Sequence, residues 1–391
     1  MRIGDLVSAF EVWAPRSLAE EWDNTGLLLG DPSAELASDA AAILTIDLTE
    51  EVLAEAREAG AALVVAYHPP FFEPMKRWTT ATRAGRVALG AASAGIAIYS
   101  PHTALDAVRG GMTDWLADGV AAGVGTPTNG SVKEVDRFAL VPKTVSGANA
   151  AAGGRAKVVT FVPEGATERV RSAMAGVGAG SIGAYTMCSF ASMGAGTFLG
   201  GAGSNPSVGQ AGRLEYVAEI RLEMVCDGPA LPAVLAALRG SHPYEEPAID
   251  VYALSDQPRR DTGAGRVVTL DAPLALDALA ERIARRAGLA AQAGAVRVAG
   301  TGEARRIAVI PGAGASLIGT ARAAGCDTIV TGEMKHHEVL AATAAGLGVV
   351  LAGHTETERG YLPVLAARLA GLWPGVRAVV SRADGPPTRA A

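Results

Sequence analysis

Aromatic residues are scarce, at 5% of 391 residues, and there are only three cysteines, Cys188, Cys226 and Cys326, far apart in the chain. That spacing excludes a disulfide framework and a cysteine-based zinc ribbon, and it suits a reducing cytosol. No stretch of about 18 apolar residues runs without a charge or a turn residue, so no transmembrane helix is expected. The hydrophobic content of 49% is rich in small residues instead. The first residues carry acids at Asp5 and Glu11 and lack an apolar run before a cleavage site. They do not read as a signal peptide, and a cytoplasmic location is expected. There is no basic excess either. A net charge of −6 argues against non-specific nucleic-acid binding.

What is present is an α/β rhythm in both outer parts. Residues 6–13 and 19–22 read as helical, 41–46, 61–66 and 96–99 as strands, and 49–58 and 83–93 as helices. Short apolar strands alternating with helices imply a mostly parallel sheet covered on both faces. Residues 121–156 are rich in small and polar residues, with a strand candidate at 138–141, and a linker is placed at 136–156 between a first core half (1–135) and an inserted domain (157–256). The insert has strands at 157–162, 214–225 and 249–254, a hairpin-like segment near 194–198, and helices at 167–175 and 230–238. That order is the split ferredoxin-like motif. The rhythm returns over 257–391, the second core half. Segments 56–68 and 321–333 align without a gap, each a helix end, Gly, a strand and a ligand-type residue, so the core reads as a duplication.

Polar chemistry collects at strand ends. His68, His102 and His354 follow apolar strands, as do Asp47 and Glu333. In parallel α/β sheets, ligands bind beyond the carboxyl ends of the strands. Imidazole plus carboxylate is ligand chemistry for zinc, manganese or iron. His102 with Asp106 and His354 with Glu358 share a four-residue spacing, which puts each pair on one face where the chain turns helically. His102 is open between orienting Asp106, facing substrate and a structural hydrogen bond. Glu333 and His337 lie at a helix start, where an acid is also an ordinary cap. Asp23 and Asn24 sit in a turn.

The segments EEWDNTGLLLG (20–30), AYHPPFF (66–72), YSPHTALDAVRGG (99–111), TGEMKHHEV (331–339) and AGHTETE (352–358) resemble the Nif-three-like family of dinuclear-metal proteins, whose members are often named GTP cyclohydrolase I type 2 homologues. The resemblance implies divalent cations, up to two per chain, bound by His68, Asp106, His354 and Glu358, with bridging carboxylates. Tyr67 stands where the family has the first histidine of His-His-Pro. A phenol is a poor zinc ligand at neutral pH, so the second metal position stays open; Tyr67, His102, Glu333 and His337 are pocket candidates. The middle part, through GAGSIGAYTMCSF (178–190) and SHPYEEPAIDVY (241–252), resembles the inserted PII/CutA-like domain of longer members. There His242, Tyr244, Glu245 and Glu246 read either as a ligand cluster or as a turn rich in exposed acids. The resemblance further implies a homohexamer, a trimer of dimers, acting on a small molecule, with no membrane and no specific nucleic acid. Three activities stay open: a metal-dependent hydrolase of a nucleotide-like or pterin-like substrate, a non-catalytic metal-handling protein, and a partner-binding protein.

Overall fold

The computed structural model describes residues 1–37, 40–121, 132–144, 154–182, 185–255, 258–292 and 294–387. They fall into two compact units, Met1–Val145 with Pro258–Ala391, and Ser146–Gln257. The first half of the larger unit runs α1 (Ile3–Trp13), β1 (Gly26–Leu29), β2 (Ala41–Thr45), α2 (Glu50–Glu58), β3 (Ala61–Ala66), α3 (Arg83–Ser93), β4 (Ala97–Ser100), α4 (His102–Ala107), α5 (Met112–Ala121) and β5 (Glu134–Pro142). The smaller unit follows with β6 (Arg155–Val162), α6 (Thr167–Ala175), β7 (Phe190–Leu199), β8 (Leu214–Asp227), α7 (Leu231–Ser241) and β9 (Ile249–Leu254). The larger unit then resumes with β10 (Gly263–Ala275), α8 (Leu276–Arg286), β11 (Arg297–Ala299), β12 (Glu303–Ala313), α9 (Ile318–Ala323), β13 (Thr328–Glu333), α10 (His336–Ala344), β14 (Gly348–Leu351), α11 (Glu356–Arg359), α12 (Leu362–Leu372) and β15 (Arg377–Val380). From α1 to β5 and from α8 to β15 the element types come in the same order.

Two sheets result, ordered β1-β4-β3-β2-β15 and β11-β14-β13-β12-β10-β5. The centres are parallel as expected, but β1, β11, β10 and β5 pair antiparallel. Period-two burial explains the layering. Ala42 and Leu44 of β2 face a shared core with Val309 of β12, Leu279 of α8 and Leu365 of α12. Ala41 and Ile43 face α2 and α3 instead. Ile329 and Val349 of the second sheet face α9 and α10. The core is therefore five layers, with a helical layer between the sheets. Each half also lends a strand to the other's sheet: β15 pairs with β2, and β5 with β10.

Arg266 of β10 is fully buried and ties this layer together. Its guanidinium bonds Asp114 of α5 at 2.7 Å and the carbonyls of Ala107 and Val108, both at 3.2 Å, just after the α4 residues His102 and Asp106. Every donor on that group faces an acceptor, which is what a buried guanidinium requires.

Two expectations change. Residues 19–22 are not helical, because Lys143 Nζ takes the carbonyls of Leu18 and Ala19 at 3.0 Å and so removes helix acceptors. A single 3-10 turn, Arg16–Leu18, remains. Residues 136–142 of the expected linker are strand, and so are 155–156. Pro142 lies opposite Gly263, so the chain leaves and re-enters the larger unit at the open end of one antiparallel pair. In the smaller unit the strand order is β7-β8-β6-β9, the split β-α-β arrangement. Along β8 one face is buried at Leu222 but exposed at Tyr216, because the helices cover only part of it.

Candidate metal centre

The strand ends converge. His68 follows β3 and His354 follows β14, and Glu358 rises from α11 between them. Ligand atoms of these three lie within 4.8 Å of one another. His68 Nε2 is 3.5 Å from Glu358 Oε2, and His354 Nε2 is 3.7 Å from Glu358 Oε1. Two ligands of one tetrahedral cation, each about 2.1 Å from it, lie about 3.4 Å apart, so the spacing fits.

Three further observations fit a cation. Glu358 is buried, and its Oε2 has no hydrogen-bond partner. A buried carboxylate oxygen is costly unless something positive meets it. Each histidine spends its other nitrogen on a carboxylate: His68 Nδ1 on Asp47 and His354 Nδ1 on Glu333, both at 3.0 Å. That fixes the tautomer with Nε2 turned inward, the usual orientation of a metal-binding histidine. Finally, Gly312, at φ +62°, leaves the space a Cβ would take 2.7 Å from Glu358 Oε1. Its N–H donates to Thr357 Oγ1 at 3.0 Å, seating the turn that carries Glu358.

Of the expected ligands, Asp106 is not among those three. Its Oδ1 accepts the Tyr67 hydroxyl at 2.7 Å. Burial pushes the Asp106 carboxyl up to about 7, against the hydrogen bond from Tyr67. Tyr67 itself, buried and beside the Asp106 and Glu358 charges, is raised well above the ordinary phenol range. It therefore acts as a neutral donor. His102 does not orient Asp106 but pairs with Asp23, Nδ1 to Oδ1 at 2.6 Å. Glu333 is the partner of His354, while His337 is exposed on α10. Asp23, Asp47 and Gly312 were the underrated residues. Asp47 carried a signal as a strand end, whereas Asp23 looked like turn chemistry.

Burial disfavours a charged His68, but its hydrogen bond to Asp47 and the nearby Glu358 charge outweigh this and raise it to about 10. Metal ligation needs the neutral imidazole, so a proton competes with the cation at neutral pH. Metal affinity is expected to tighten as pH rises, by about tenfold per pH unit for the one proton lost from His68. The dependence steepens below about pH 7 if Asp106 must also be deprotonated to bind. Titration calorimetry in buffers of different ionisation enthalpy counts the released protons; a pH-independent affinity with no release overturns this.

In the smaller unit, the expected cluster separates. His242 Nδ1 accepts the Tyr244 N–H and Nε2 donates to the Phe161 carbonyl, both at 3.1 Å. The Tyr244 hydroxyl bonds Glu219 at 2.8 Å, and Glu245 accepts the Asn205 N–H. Both histidine nitrogens are spent on backbone, so the turn reading holds for His242.

The family model for Duf34/NIF3 (NGG1p interacting factor 3) matches residues 1–387. A GTP cyclohydrolase 1 type 2 homolog of Halalkalibacterium halodurans is 36% identical over 352 residues, covering 89% of this chain and 87% of that protein. NIF3-like protein 1 of Rattus norvegicus is 31% identical over 392 residues, covering 100% and 93%. The crystal structure of a Bacillus cereus protein related to NIF3 superposes with a TM-score of 0.73 at 30% identity, covering 100% of this chain and 99% of that one.

Proposed function

Because the chain belongs to the Duf34/NIF3 family, we propose that its strand-end centre holds divalent metal and serves a metal-dependent hydrolase of a small nucleotide-like or pterin-like substrate. The observation that carries this reading is the unpartnered, buried Glu358 oxygen between two inward-facing imidazoles. His68, His354 and Glu358 would hold one cation, and Asp106, freed from Tyr67, would join a second. Zinc, iron and manganese all suit this donor set. A bound cation supplies Lewis acidity, which activates water at neutral pH. Asp106 with a carboxyl near 7 suits proton transfer when it is not a ligand. His102, oriented by Asp23, is a second candidate. The cyclohydrolase reading of the substrate comes from the relatives' names. The test is a turnover screen of nucleotides and phosphoesters with metal-replete protein, with Asp106→Ala as control. Metal-dependent turnover lost in the control supports the hydrolase. Metal retained without turnover of any substrate favours a metal-handling protein.

The smaller unit is proposed as an autonomous PII/CutA-like domain that assembles the chain into a hexamer, a trimer of dimers. Met193, Leu199, Leu214 and Tyr216 lie on one face of the β7–β8 pair and are 83, 64, 53 and 74% exposed. An apolar patch of that kind is normally covered by a partner, and a second copy meets the requirement for closed symmetry. Light scattering is expected to give about six times the 39.6 kDa chain mass. Replacing Met193 and Tyr216 with serine should lower it, and a mass near twice the chain in the unaltered protein sinks the hexamer.

A further inference from the structure

Five rings run in steps from solvent to the metal-binding trio. Phe72 lies 6.0 Å from Trp22, Trp22 6.0 Å from His102, His102 5.4 Å from His68, and His68 5.5 Å from His354. The inner end is the candidate metal centre. The outer end is exposed, with Trp22 at 62% and Phe72 at 47%. Two large aromatic side chains exposed side by side are unusual in a chain so poor in aromatics, and they cost hydrophobic free energy unless something covers them.

Their placement is built. Asp23, whose side chain has no exposed surface, bonds His102 at 2.6 Å and accepts the Thr103 N–H at 3.1 Å. Asn24 donates its amide to the carbonyl of Phe71, the residue before Phe72. The two polar residues after Trp22 thus pin it to α4 on one side and to the Phe72 segment on the other. His102 itself is held at φ +29°, a left-handed conformation that a histidine adopts only under constraint. A platform meant only to shed water would need none of these anchors.

We propose that Trp22, bordered by Phe72 and His102, forms a stacking platform for a flat heteroaromatic ring of the substrate, holding it with one edge toward His68, His354 and Glu358. Aromatic faces bind such rings by stacking, with tolerance for ring identity. The Trp22 and Phe72 planes are tilted by 45° and those of Trp22 and His102 by 76°, so a rigid planar group stacks on the Trp22 face while the other two rings border it. This rests on the centre being a substrate site, as proposed above, and it names the part of the substrate that the chain itself recognises.

The test uses the full-length protein, with guanosine 5′-monophosphate as the planar probe and ribose 5-phosphate as the same molecule without the ring. Titration calorimetry is run on metal-replete and chelator-treated protein, and metal content is measured for every variant. The nucleotide is expected to bind about tenfold tighter than the ribose phosphate, or more. Trp22→Ala should weaken the nucleotide by about tenfold or more and leave the ribose phosphate unchanged. Trp22→Phe should stay within about threefold of the unaltered protein, since it keeps a stacking face. Metal content should not change in either variant. Ring discrimination that survives chelation, in a protein without turnover, sinks the hydrolase and leaves the platform standing. Equal binding of both probes, no binding of either, or a Trp22→Ala variant with unchanged nucleotide affinity overturns the platform. So does a Trp22→Ala variant that changes the mass of the assembly while nucleotide affinity stays the same, because the strip is then an interface between copies.

Discussion

Replacing Glu358 with glutamine is expected to empty the centre of metal. The amide keeps the size of the side chain but removes the charge and half of the acceptor capacity that faces His68 and His354. Losing even an outer partner of a metal ligand costs about 10- to 100-fold in affinity, so losing this carboxylate should cost about 100-fold or more. Elemental analysis after dialysis at neutral pH should find metal in the unaltered protein and background levels in the variant. Melting in the presence of chelator separates ligation from folding. The variant should melt a few degrees lower there, from the loss of the Glu358 charge beside His68, and no more, because Glu358 Oε2 makes no hydrogen bond that the amide could break. Unchanged metal content in Glu358→Gln would remove the trio as the site.

The second large effect lies in residues that no ligand list contains. Asp384 is almost fully buried, pairs with Arg359 and accepts the Ile46 N–H at 2.9 Å. Arg359 follows Glu358 directly on α11, and Ile46 precedes Asp47, the partner of His68. Asp384 therefore ties the Glu358 helix to the strand end that orients His68. Asp384→Ala is expected to destabilise the larger unit by about 3–5 kcal/mol, because it leaves the buried terminal nitrogens of Arg359 without their counter-charge. The urea midpoint should fall at unchanged slope, and metal affinity should weaken as α11 loosens. An unchanged midpoint would show that the pair contributes nothing.

Much of the core was legible because its strands are short apolar runs of unambiguous period. The strand 61–66 and the helix 83–93 match their expected bounds. Other elements hid for physical reasons. β10 carries Gly263, Gly265 and Pro273, which interrupt its apolar run, so it does not stand out as a strand in the sequence. β15 is four residues long, and a run that short has no period to detect. That the rhythm makes two sheets rather than one depends on pairing between distant strands, which local pattern does not carry. At the site, ligand-type residues at strand ends were visible, and so was the shared spacing of the two His–acid pairs. The direction of Asp106 was not, because the Tyr67 hydroxyl that engages it comes from another strand end. Asp23 and Asp384 act through contacts 79 and 338 positions away in the chain, beyond any motif.

The exchange of β15 and β5 between the sheets has a consequence for biogenesis. As the chain is synthesised, β2 lacks its outer neighbour until residues 377–380 leave the ribosome, and β5 waits for residues 263–275. The first half therefore emerges with an open sheet edge and half of the ligand set. It can neither close its core nor assemble the proposed metal-binding trio while His354 and Glu358 are still untranslated. Cation capture at the proposed centre would then be a post-translational event, confined to chains that already carry His354 and Glu358.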